Sequence, residues 1–331
     1  MRDVAARAGV SLKTVSRVVN HEAGVRPELI ARVTSAADEL HYRPNLTASS
    51  LRRSDRRTAT IGLLVDDVAN PFFADIHRGV EEVARERGVA VMAASLDRRD
   101  EVEADIVRTF ASRRVDGLLL VPTARDQAYL ADEIGSGWPV VCVDRAPSGV
   151  NVDVVVADNR EAAAVATRHL LSRGHRRIGF LCDESTLMTA QERHRGFQDA
   201  MAEAGVEVSA EWVRFDVDSV DDGDVVTRQL LSGRQAPTAL FTAQNYVTMG
   251  AYRALHQLQR QESVALIGFD DFAMADVLQP GVTVISQDAR RMGREAAEVL
   301  FRRMDGDTSP ISAQVVPCSL VTRGSGEIPP A

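Results

Sequence analysis

From Ile61 onward, short apolar runs alternate with amphipathic segments, and this alternation constrains the fold more than any other feature of the chain. Runs such as IGLLV, GLLLV and PVVCV contain no alternating polar residues, which is typical of strands buried on both faces of a parallel sheet. The same alternation begins again after Asp158, with the apolar runs RIGFLC, TALFT and VALIGF. The pattern predicts an α/β body of two similar lobes, each a doubly wound parallel sheet, with a ligand cleft between them.

The first 42 residues follow another pattern, with three short helical periods separated by turn residues. The apolar positions are Val4, Ala5 and Ala8, then Val15, Val18 and Val19, then Ile30, Val33, Ala37 and Leu40. Ser11 is placed to cap the second helix, and Pro27 suits the first turn of the third. Two short helices joined by a tight turn that contains Gly9 predict a helix-turn-helix inside an all-helical head.

The charge is divided unequally along the chain, whose net charge is −8. Residues 1–57 carry 11 basic and 6 acidic side chains, a net charge of +5, which leaves −13 for the rest. A cationic head on an acidic body favours selective attachment to a polyanion, because phosphate contacts supply affinity while the acidic body limits non-specific binding. A solvated basic surface is the alternative interpretation of this charge.

The second helix presents a polar outer face, and its N-terminal half is the part that enters the major groove in this motif. The residues predicted on this face are Leu12, Lys13, Thr14, Ser16, Arg17 and Asn20. Lys13 and Arg17 are suited to donate to guanine, and Leu12 to contact a thymine methyl group. Hydroxyl and amide side chains are better suited to phosphate oxygens. Double-stranded DNA is therefore the predicted partner of the head.

The stretch DVAARAGVSLKTVSRVVN, followed by ELHYRPN and a linker ending in LRR, resembles the head of the lactose-repressor (LacI/GalR) family. The resemblance implies DNA contacts at Ser11, Tyr42 and Asn45, and a hinge helix over 45–52 that forms on DNA. It also implies that Leu51, with Ala48 beside it, wedges between base pairs from the minor groove. Anchoring of the linker to the body is the alternative role of Leu51.

The head departs from the pattern of that family at two positions that cap helices. The chain begins closer to its first helix than family members usually do, and Arg26 stands where Ser or Thr normally precedes the helical proline. We therefore expect both helices to lack a side-chain cap, at a cost of about 1 kcal/mol each.

The resemblance continues through the body, at NPFF, RRVDGLLL, RGHRRIGF, ERHRGF, PTALF and IGFDD. It implies a small-molecule effector between the lobes, bound by Asn70, Phe72, Phe73, Asp144, Arg145, Asp158, Thr189, Arg193, Gln244, Asn245 and Asp270. Carboxylates, guanidinium groups and an aromatic face suit a polyhydroxylated, sugar-like ligand. Helix capping by Asp144 and Asp158, and simple core packing of Phe72, are the alternatives. A nucleoside, a purine or a glycoside with an apolar aglycone also stays open.

Two local departures alter the expected cleft. Gln244 and Asn245 replace an Asn-Asp pair that is frequent in the family, and Leu187 and Met188 occupy positions that are often small, polar or basic. We therefore expect a cleft that is less acidic and more apolar on that side.

Other classes of protein fit the sequence less well. No dinucleotide-binding, phosphate-loop, nucleophile-elbow or paired metal-ligand motif is present, so we predict neither enzymatic activity nor a cofactor or metal. A solute-binding sugar receptor shares the two-lobed body, but would carry a secretion signal and no basic head. Cys142, Cys182 and Cys318 are predicted to be buried hydrophobes. With no membrane span in the sequence, we expect a cytoplasmic protein without membrane partners.

The predicted organisation has three parts. A head over 1–43 is followed by a hinge and linker over 44–58 and an effector-binding body over 59–331. The N-terminal lobe is expected at about 59–158 and 288–315, and the C-terminal lobe at about 159–287 and 316–331. The chain ends without the apolar heptads that form tetramers, so we predict a homodimer that reads a pseudo-palindromic operator as a transcriptional repressor.

Overall fold

The computed structural model describes residues 1–19, 24–42, 57–97 and 99–330. The chain divides into two compact units, Met1–Ala59 and Thr60–Ala331, which we call the head and the body. No helix in the described ranges is both long enough and apolar enough to cross a lipid bilayer.

The head contains three helices around a small core. They are α1 (Arg2–Ala8), α2 (Leu12–Val19) and α3 (Pro27–Glu39). Gly9 ends α1 in the left-handed conformation that glycine adopts without strain, with φ of 60°. The predicted cap of α2 is present, because the Thr14 amide donates to Ser11 Oγ over 3.1 Å. These features form the predicted helix-turn-helix.

The core of the head is narrower than the apolar pattern predicts. Val4, Val15 and Val33 are buried, but Ile30 and Leu40 are 43% and 44% exposed. The side chains that fill this core are small, so they cover only the middle of α3, where Ala36 is buried instead. The periodicity identified the helix correctly and overestimated how much of its apolar face is covered.

The missing cap of α3 provides a test of local stability. Arg26 precedes α3 in an extended conformation and makes no side-chain capping hydrogen bond. We expect Arg26→Thr to slow amide hydrogen exchange in residues 27–39 by up to about fivefold, because a threonine cap contributes about 1 kcal/mol. Arg26→Ala removes the same charge without adding a hydroxyl and serves as the control. Equal exchange in the two variants would show that the cap is not formed.

The N-terminal lobe is built on a six-stranded parallel sheet in the order β11-β5-β4-β3-β1-β2. Its strands are β1 (Thr60–Val65), β2 (Ala90–Ser95), β3 (Leu118–Leu120), β4 (Val140–Val143), β5 (Asp153–Ala157) and β11 (Ala313–Val316). Its helices are α4 (Pro71–Glu86), α5 (Glu103–Ser112), α6 (Ala131–Gly135) and α11 (Ala289–Met304). The helix α6 is short, and a 3₁₀ turn over Ala128–Leu130 precedes it.

The C-terminal lobe repeats this plan in the order β12-β10-β9-β8-β6-β7. Its strands are β6 (Ile178–Leu181), β7 (Val213–Arg214), β8 (Ala239–Thr242), β9 (Ala265–Phe269), β10 (Thr283–Ser286) and β12 (Ser319–Val321). Its helices are α7 (Asn159–Ser172), α8 (Met188–Glu203), α9 (Val220–Ser232) and α10 (Asn245–Gln257). Only the edge strand β12 runs antiparallel to its neighbour. The two sheets confirm the predicted fold class.

Each sheet separates two apolar cores, one under the helices on each face. Phe180, Phe241 and Phe269 are among the largest fully buried side chains of the C-terminal lobe. The three cysteines are free thiols; Cys142 and Cys182 are buried in these cores, and Cys318 is half-buried. The continuous apolar strand runs of the sequence are thus explained by cover on both faces.

The chain passes between the lobes three times, from β5 to α7, from β10 to α11 and from β11 to β12. Two of these crossings are joined directly, because the Cys318 amide donates to Asp158 Oδ1 over 2.8 Å. Chain crossings between two lobes commonly act as a hinge, and we call these three segments the interlobe hinge.

Close packing of α4 against α11 fixes the helix that begins at the cleft. A Cβ atom on Gly79 would lie only 2.1 Å from the Arg290 carbonyl oxygen, so a side chain there would force the helices apart. Gly293 makes a similar approach to the backbone of Ile76. The contact holds the N-terminus of α4, and with it Asn70 and Phe72, at the edge of the N-terminal lobe.

Candidate effector cleft and DNA-binding helix

A cavity of about 340 Å³ lies between the lobes, at the carboxyl ends of their parallel strands. This volume is near the lower end of the range for small-molecule sites, roughly 300–1,000 Å³. Its lining comprises Asp66, Asp67, Asn70, Phe72, Phe73, Thr123, Asp144, Arg145, Asp183, Glu184, Leu187, Thr189, Arg193, Asp216, Asp218, Gln244 and Asp270. Both lobes contribute side chains, so a ligand here would contact each of them.

Most of the predicted effector residues come together in this cleft. They are Asn70, Phe72, Phe73, Asp144, Arg145, Thr189, Arg193, Gln244 and Asp270. Two predicted residues, Asp158 and Asn245, do not line it. Asp158 lies in the interlobe hinge. There its carboxylate accepts the Cys318 amide and does not cap α7.

Asn245 connects the lobes instead of facing the cavity. Its side-chain amide donates to Asn70 Oδ1 over 2.8 Å, and Asn70 Nδ2 donates back to Asn245 Oδ1 over 3.2 Å. Both side chains are buried, and each also accepts a backbone amide, from Phe72 and Tyr246 respectively. The reciprocal amide pair is therefore a polar contact that joins the N-termini of α4 and α10 across the lobes.

A buried ion network forms the wall of the N-terminal lobe. Arg145 Nη2 donates to Asp66 Oδ2 over 3.0 Å, Arg145 Nη1 donates to the Pro122 carbonyl over 3.3 Å, and Arg145 Nε lies 3.3 Å from Asp144 Oδ2. Burial opposes the charged guanidinium, yet Asp144 and Asp66 together hold the pKa of Arg145 above its ordinary value. Arg145 is thus a fixed cation.

Asp144 is a carboxylate of this network whose charged form is opposed by burial. Burial raises its pKa from 3.8 to about 6, against the opposing effect of Arg145 and Arg193. Its Oδ1 atom is buried and has no hydrogen-bond partner among the described residues. An acceptor in this state binds a ligand hydroxyl or N–H group favourably, because binding removes the cost of the unsatisfied oxygen.

Arg193 occupies the corresponding position in the C-terminal lobe. Its Nε donates to Asn159 Oδ1 over 2.7 Å, its Nη1 donates to the Ala243 carbonyl over 2.8 Å, and its guanidinium lies 3.8 Å above the Phe269 ring. Asn159 begins α7, directly after a hinge crossing. Arg193 is only 4% exposed, so its orientation is held by these three contacts.

Asp270 mirrors Asp144 in position and backbone geometry. Each residue directly follows a strand, and both have left-handed φ angles, 69° for Asp270 and 71° for Asp144. Burial raises the pKa of Asp270, with Arg193 acting in the opposite direction. Gln287, in the second hinge crossing, donates to Asp270 Oδ1 over 2.6 Å. A ligand bound to Asp270 and Arg193 would therefore contact two residues that are hydrogen-bonded to the interlobe hinge.

The remaining predicted residues supply an aromatic face and helix termini. Phe72 is half-buried and meets Phe73 edge to face at 5.2 Å, so it packs on the core while also lining the cleft. Gln244 caps α10 by accepting the Val247 amide, which uses its carbonyl oxygen. Thr189 is buried near the start of α8.

The cleft is far more acidic than expected. Four carboxylates of the C-terminal lobe, Asp183, Glu184, Asp216 and Asp218, line it and were missed; we call them the acidic wall. The expectation of an apolar side is correct only for Leu187, since Met188 lies instead in a separate surface groove. The sequence prediction also omitted Asp66, Asp67 and Thr123 from the lining. Most of the omitted residues follow parallel strands, and this position would have identified them.

Thr123 is held in the lining by a buried carboxylate outside the cleft. Glu103 is fully buried and accepts the Thr123 amide over 2.6 Å, the Thr123 hydroxyl over 2.8 Å and the Tyr129 hydroxyl over 2.7 Å. Neutral donors therefore satisfy this buried carboxyl group. The network fixes the loop after β3, whose Pro122 carbonyl accepts from Arg145.

In the head, the buried and exposed faces of α2 agree with the sequence prediction in part. Val15 and Val18 are buried, while Leu12 and Lys13 are exposed. Ser16 and Arg17 are half-buried, and Thr14 Oγ1 lies 2.9 Å from Ser11 Oγ. Tyr42 packs partly against the head core. Asn20, Asn45, Ala48, Leu51 and most of the predicted hinge lie outside the described residues.

Comparison with known proteins places both units in one family. The family model described as bacterial regulatory proteins of the lacI family matches residues 1–45. The model described as periplasmic binding proteins and the sugar-binding domain of the LacI family matches residues 58–323. The resemblance predicted from the sequence is therefore confirmed.

Similarity to individual proteins extends over nearly the whole chain. The HTH-type transcriptional repressor PurR of Photobacterium profundum is 33% identical over 92% of this chain and 91% of its own length. The ribose operon repressor of Escherichia coli is 33% identical over 98% of this chain and 99% of its own. The lac repressor dimer bound to operator and the anti-inducer ONPF superposes with a TM-score of 0.87, at 26% identity over 98% of both chains. All three are transcriptional repressors and not enzymes, and this chain belongs to the LacI family of bacterial regulatory proteins.

Proposed function

We propose that this protein is a cytoplasmic transcriptional repressor that binds a pseudo-palindromic operator as a homodimer and responds to a sugar-like effector in the interlobe cleft. The observation that carries the proposal is α2, which buries Val15 and Val18 and exposes Leu12 and Lys13. Side chains arranged in this way on the second helix of a helix-turn-helix reach base edges in the major groove. The relatives named above, the repressor PurR and the ribose operon repressor, support the role.

The cleft supports an effector that is rich in hydroxyl groups. Carboxylates, two guanidinium groups and the face of Phe72 line it, which is the chemistry that binds sugar rings. Arg193 bonds to Asn159 and Asp270 bonds to Gln287, so both ligand-facing groups are attached to hinge crossings. We propose that effector binding changes the angle between the lobes and thereby the spacing of the two linkers, 44–58, of a dimer.

The DNA-binding role is tested by selecting bound duplexes from a random pool with the full-length protein. We expect an enriched inverted repeat, because a twofold dimer presents two equivalent α2 helices. Specific sites normally exceed non-specific DNA in affinity by about 10³-fold or more. Absence of any enriched sequence would contradict the proposal.

Leu12→Ala provides a sharper test of the α2 face. We expect at least about fivefold weaker binding to the selected operator, because a leucine contact with a base edge contributes on the order of 1 kcal/mol to discrimination. The salt dependence should not change, since leucine contacts no phosphate. Leu40→Ala is a matched control, because Leu40 and Leu12 are 44% and 46% exposed. Equal losses in the two variants, measured by fluorescence anisotropy, would remove Leu12 from the interface.

A further inference from the structure

The charge of the cleft restricts which form of a sugar it accepts, an inference that rests on the proposed function and specifies its ligand. Eight carboxylates line the cleft, and among the described lining residues only Arg145 and Arg193 are basic. Like charges collected in a cleft between low-dielectric walls reinforce one another and repel an approaching anion. The lining therefore disfavours binding of a ligand that carries a phosphate group.

Both arginines are already held in place by partners within the protein. Arg145 is engaged by Asp66 and the Pro122 carbonyl, with Asp144 beside it. Arg193 is engaged by Asn159 and the Ala243 carbonyl and lies flat on Phe269. Binding of a phosphate normally uses both prongs of a guanidinium fork, and in each of these residues two of the three guanidinium nitrogens already donate within the protein.

Helix N-termini are the other common phosphate sites, and here they are occupied or flanked by acids. Asn70 caps α4 by accepting the Phe72 amide, and Gln244 caps α10 by accepting the Val247 amide. The start of α8 at Met188 has no side-chain cap, but Asp183 and Glu184 of the acidic wall lie just before it in the lining.

The buried Asp144 Oδ1 atom adds an independent requirement. It has no partner among the described residues and belongs to a residue of the cleft lining that is only 3% exposed. A hydroxyl or N–H group satisfies this oxygen, whereas a phosphate dianion has no proton to donate. The lining therefore favours ligands that donate hydrogen bonds, and both of its guanidinium groups are already held by protein acceptors.

We propose that the effector is an unphosphorylated, hydroxyl-rich molecule and that the acidic wall rejects its phosphate ester. The protein then senses the substrate of a sugar-phosphorylating reaction and not the product of that reaction. A repressor with this selectivity responds to the arrival of a sugar before the sugar is phosphorylated.

The test measures thermal shift and calorimetric Kd at pH 7.5 for matched pairs, D-ribose with D-ribose 5-phosphate and D-glucose with D-glucose 6-phosphate. A metabolite extract of sugar-grown bacteria is divided, and half is treated with alkaline phosphatase. We expect each free sugar that binds to do so at least about tenfold more tightly than its phosphate. The extract should retain its stabilising effect after phosphatase treatment.

A variant that removes three charges of the acidic wall tests their role directly. In Asp183→Asn/Asp216→Asn/Asp218→Asn we expect the preference for the free sugar to fall by about fivefold or more. Glu207→Gln, an exposed carboxylate of the same lobe outside the cleft lining, should leave the preference unchanged.

The outcomes separate the inference from the function on which it rests. A phosphorylated sugar that binds as tightly as its free form, or an extract that loses its effect after phosphatase treatment, would overturn the inference and leave the sensor role standing. No stabilisation by any sugar or by either half of the extract would contradict the sensor role itself, and the inference with it.

Discussion

Replacing Arg193 with lysine is expected to lower the affinity of the cleft for its effector about 100-fold. Lysine keeps the charge but has one nitrogen, so it cannot donate to both Asn159 and the Ala243 carbonyl while lying on the Phe269 ring. Each buried acceptor that loses its donor costs about 1–3 kcal/mol. The measurement is calorimetric titration with the sugar that gives the largest thermal shift.

The same variant should bind operator within about threefold of the wild type when no effector is present, because Arg193 is in the body. Arg195→Lys is a matched control on α8, since Arg195 is exposed and pairs only with Glu192 in the described structure. Unchanged effector affinity in Arg193→Lys, or an equal loss in Arg195→Lys, would remove Arg193 from the binding site.

Asp144→Asn is expected to stabilise the protein at neutral pH while it weakens effector binding. Burial raises the pKa of Asp144 from 3.8 to about 6, so the folded protein holds this proton more tightly than the unfolded chain does. A raised carboxyl pKa gives stability that is present below pH 3.8 and is lost as the pH rises through 6. Asparagine never ionises and tolerates the left-handed φ of 71° at this position.

The gain in the free energy of unfolding should reach about 2–3 kcal/mol at pH 8, since one pKa unit corresponds to about 1.4 kcal/mol. Urea titrations should give a gain at pH 5 that is about 1 kcal/mol smaller. Asp153→Asn is a control with the opposite expected sign. Burial raises the pKa of Asp153, but hydrogen bonds from Arg303 and Ser312 outweigh burial and hold this pKa below its usual value. Removing the Asp153 carboxylate should therefore destabilise the protein. A destabilised Asp144→Asn, or a gain that does not vary with pH, would contradict the assignment.

The sequence was sufficient to predict the fold and the location of the cleft. Uninterrupted apolar runs such as IGLLV and VALIGF identified strands covered on both faces, and the carboxyl ends of these strands carry Asp66, Asp144 and Asp270. Local patterns also identified Ser11 as a cap and Val15 and Val18 as buried. These features depend on neighbours close in sequence or on a repeated strand rule.

Features that depend on distant partners could not be predicted in this way. Asn245 is bonded to Asn70, and Asp158 to Cys318, across more than a hundred residues, so periodicity gives no indication of either contact. The acidic wall is different: it follows β6 and β7, so the strand rule would have identified it, although the sequence prediction did not apply the rule there. Ile30 and Leu40 are exposed because the three helices of the head form so small a core.

The central claim is that occupation of the cleft controls the affinity of α2 for operator DNA. Its most direct test is the Kd of the selected operator, measured by fluorescence anisotropy with the cleft empty and with it saturated by the sugar identified above. We expect the two Kd values to differ by about 5–150-fold in the wild type. The difference should disappear in Arg193→Lys at the same sugar concentration. Identical operator Kd values for the empty and the saturated wild type would contradict the claim.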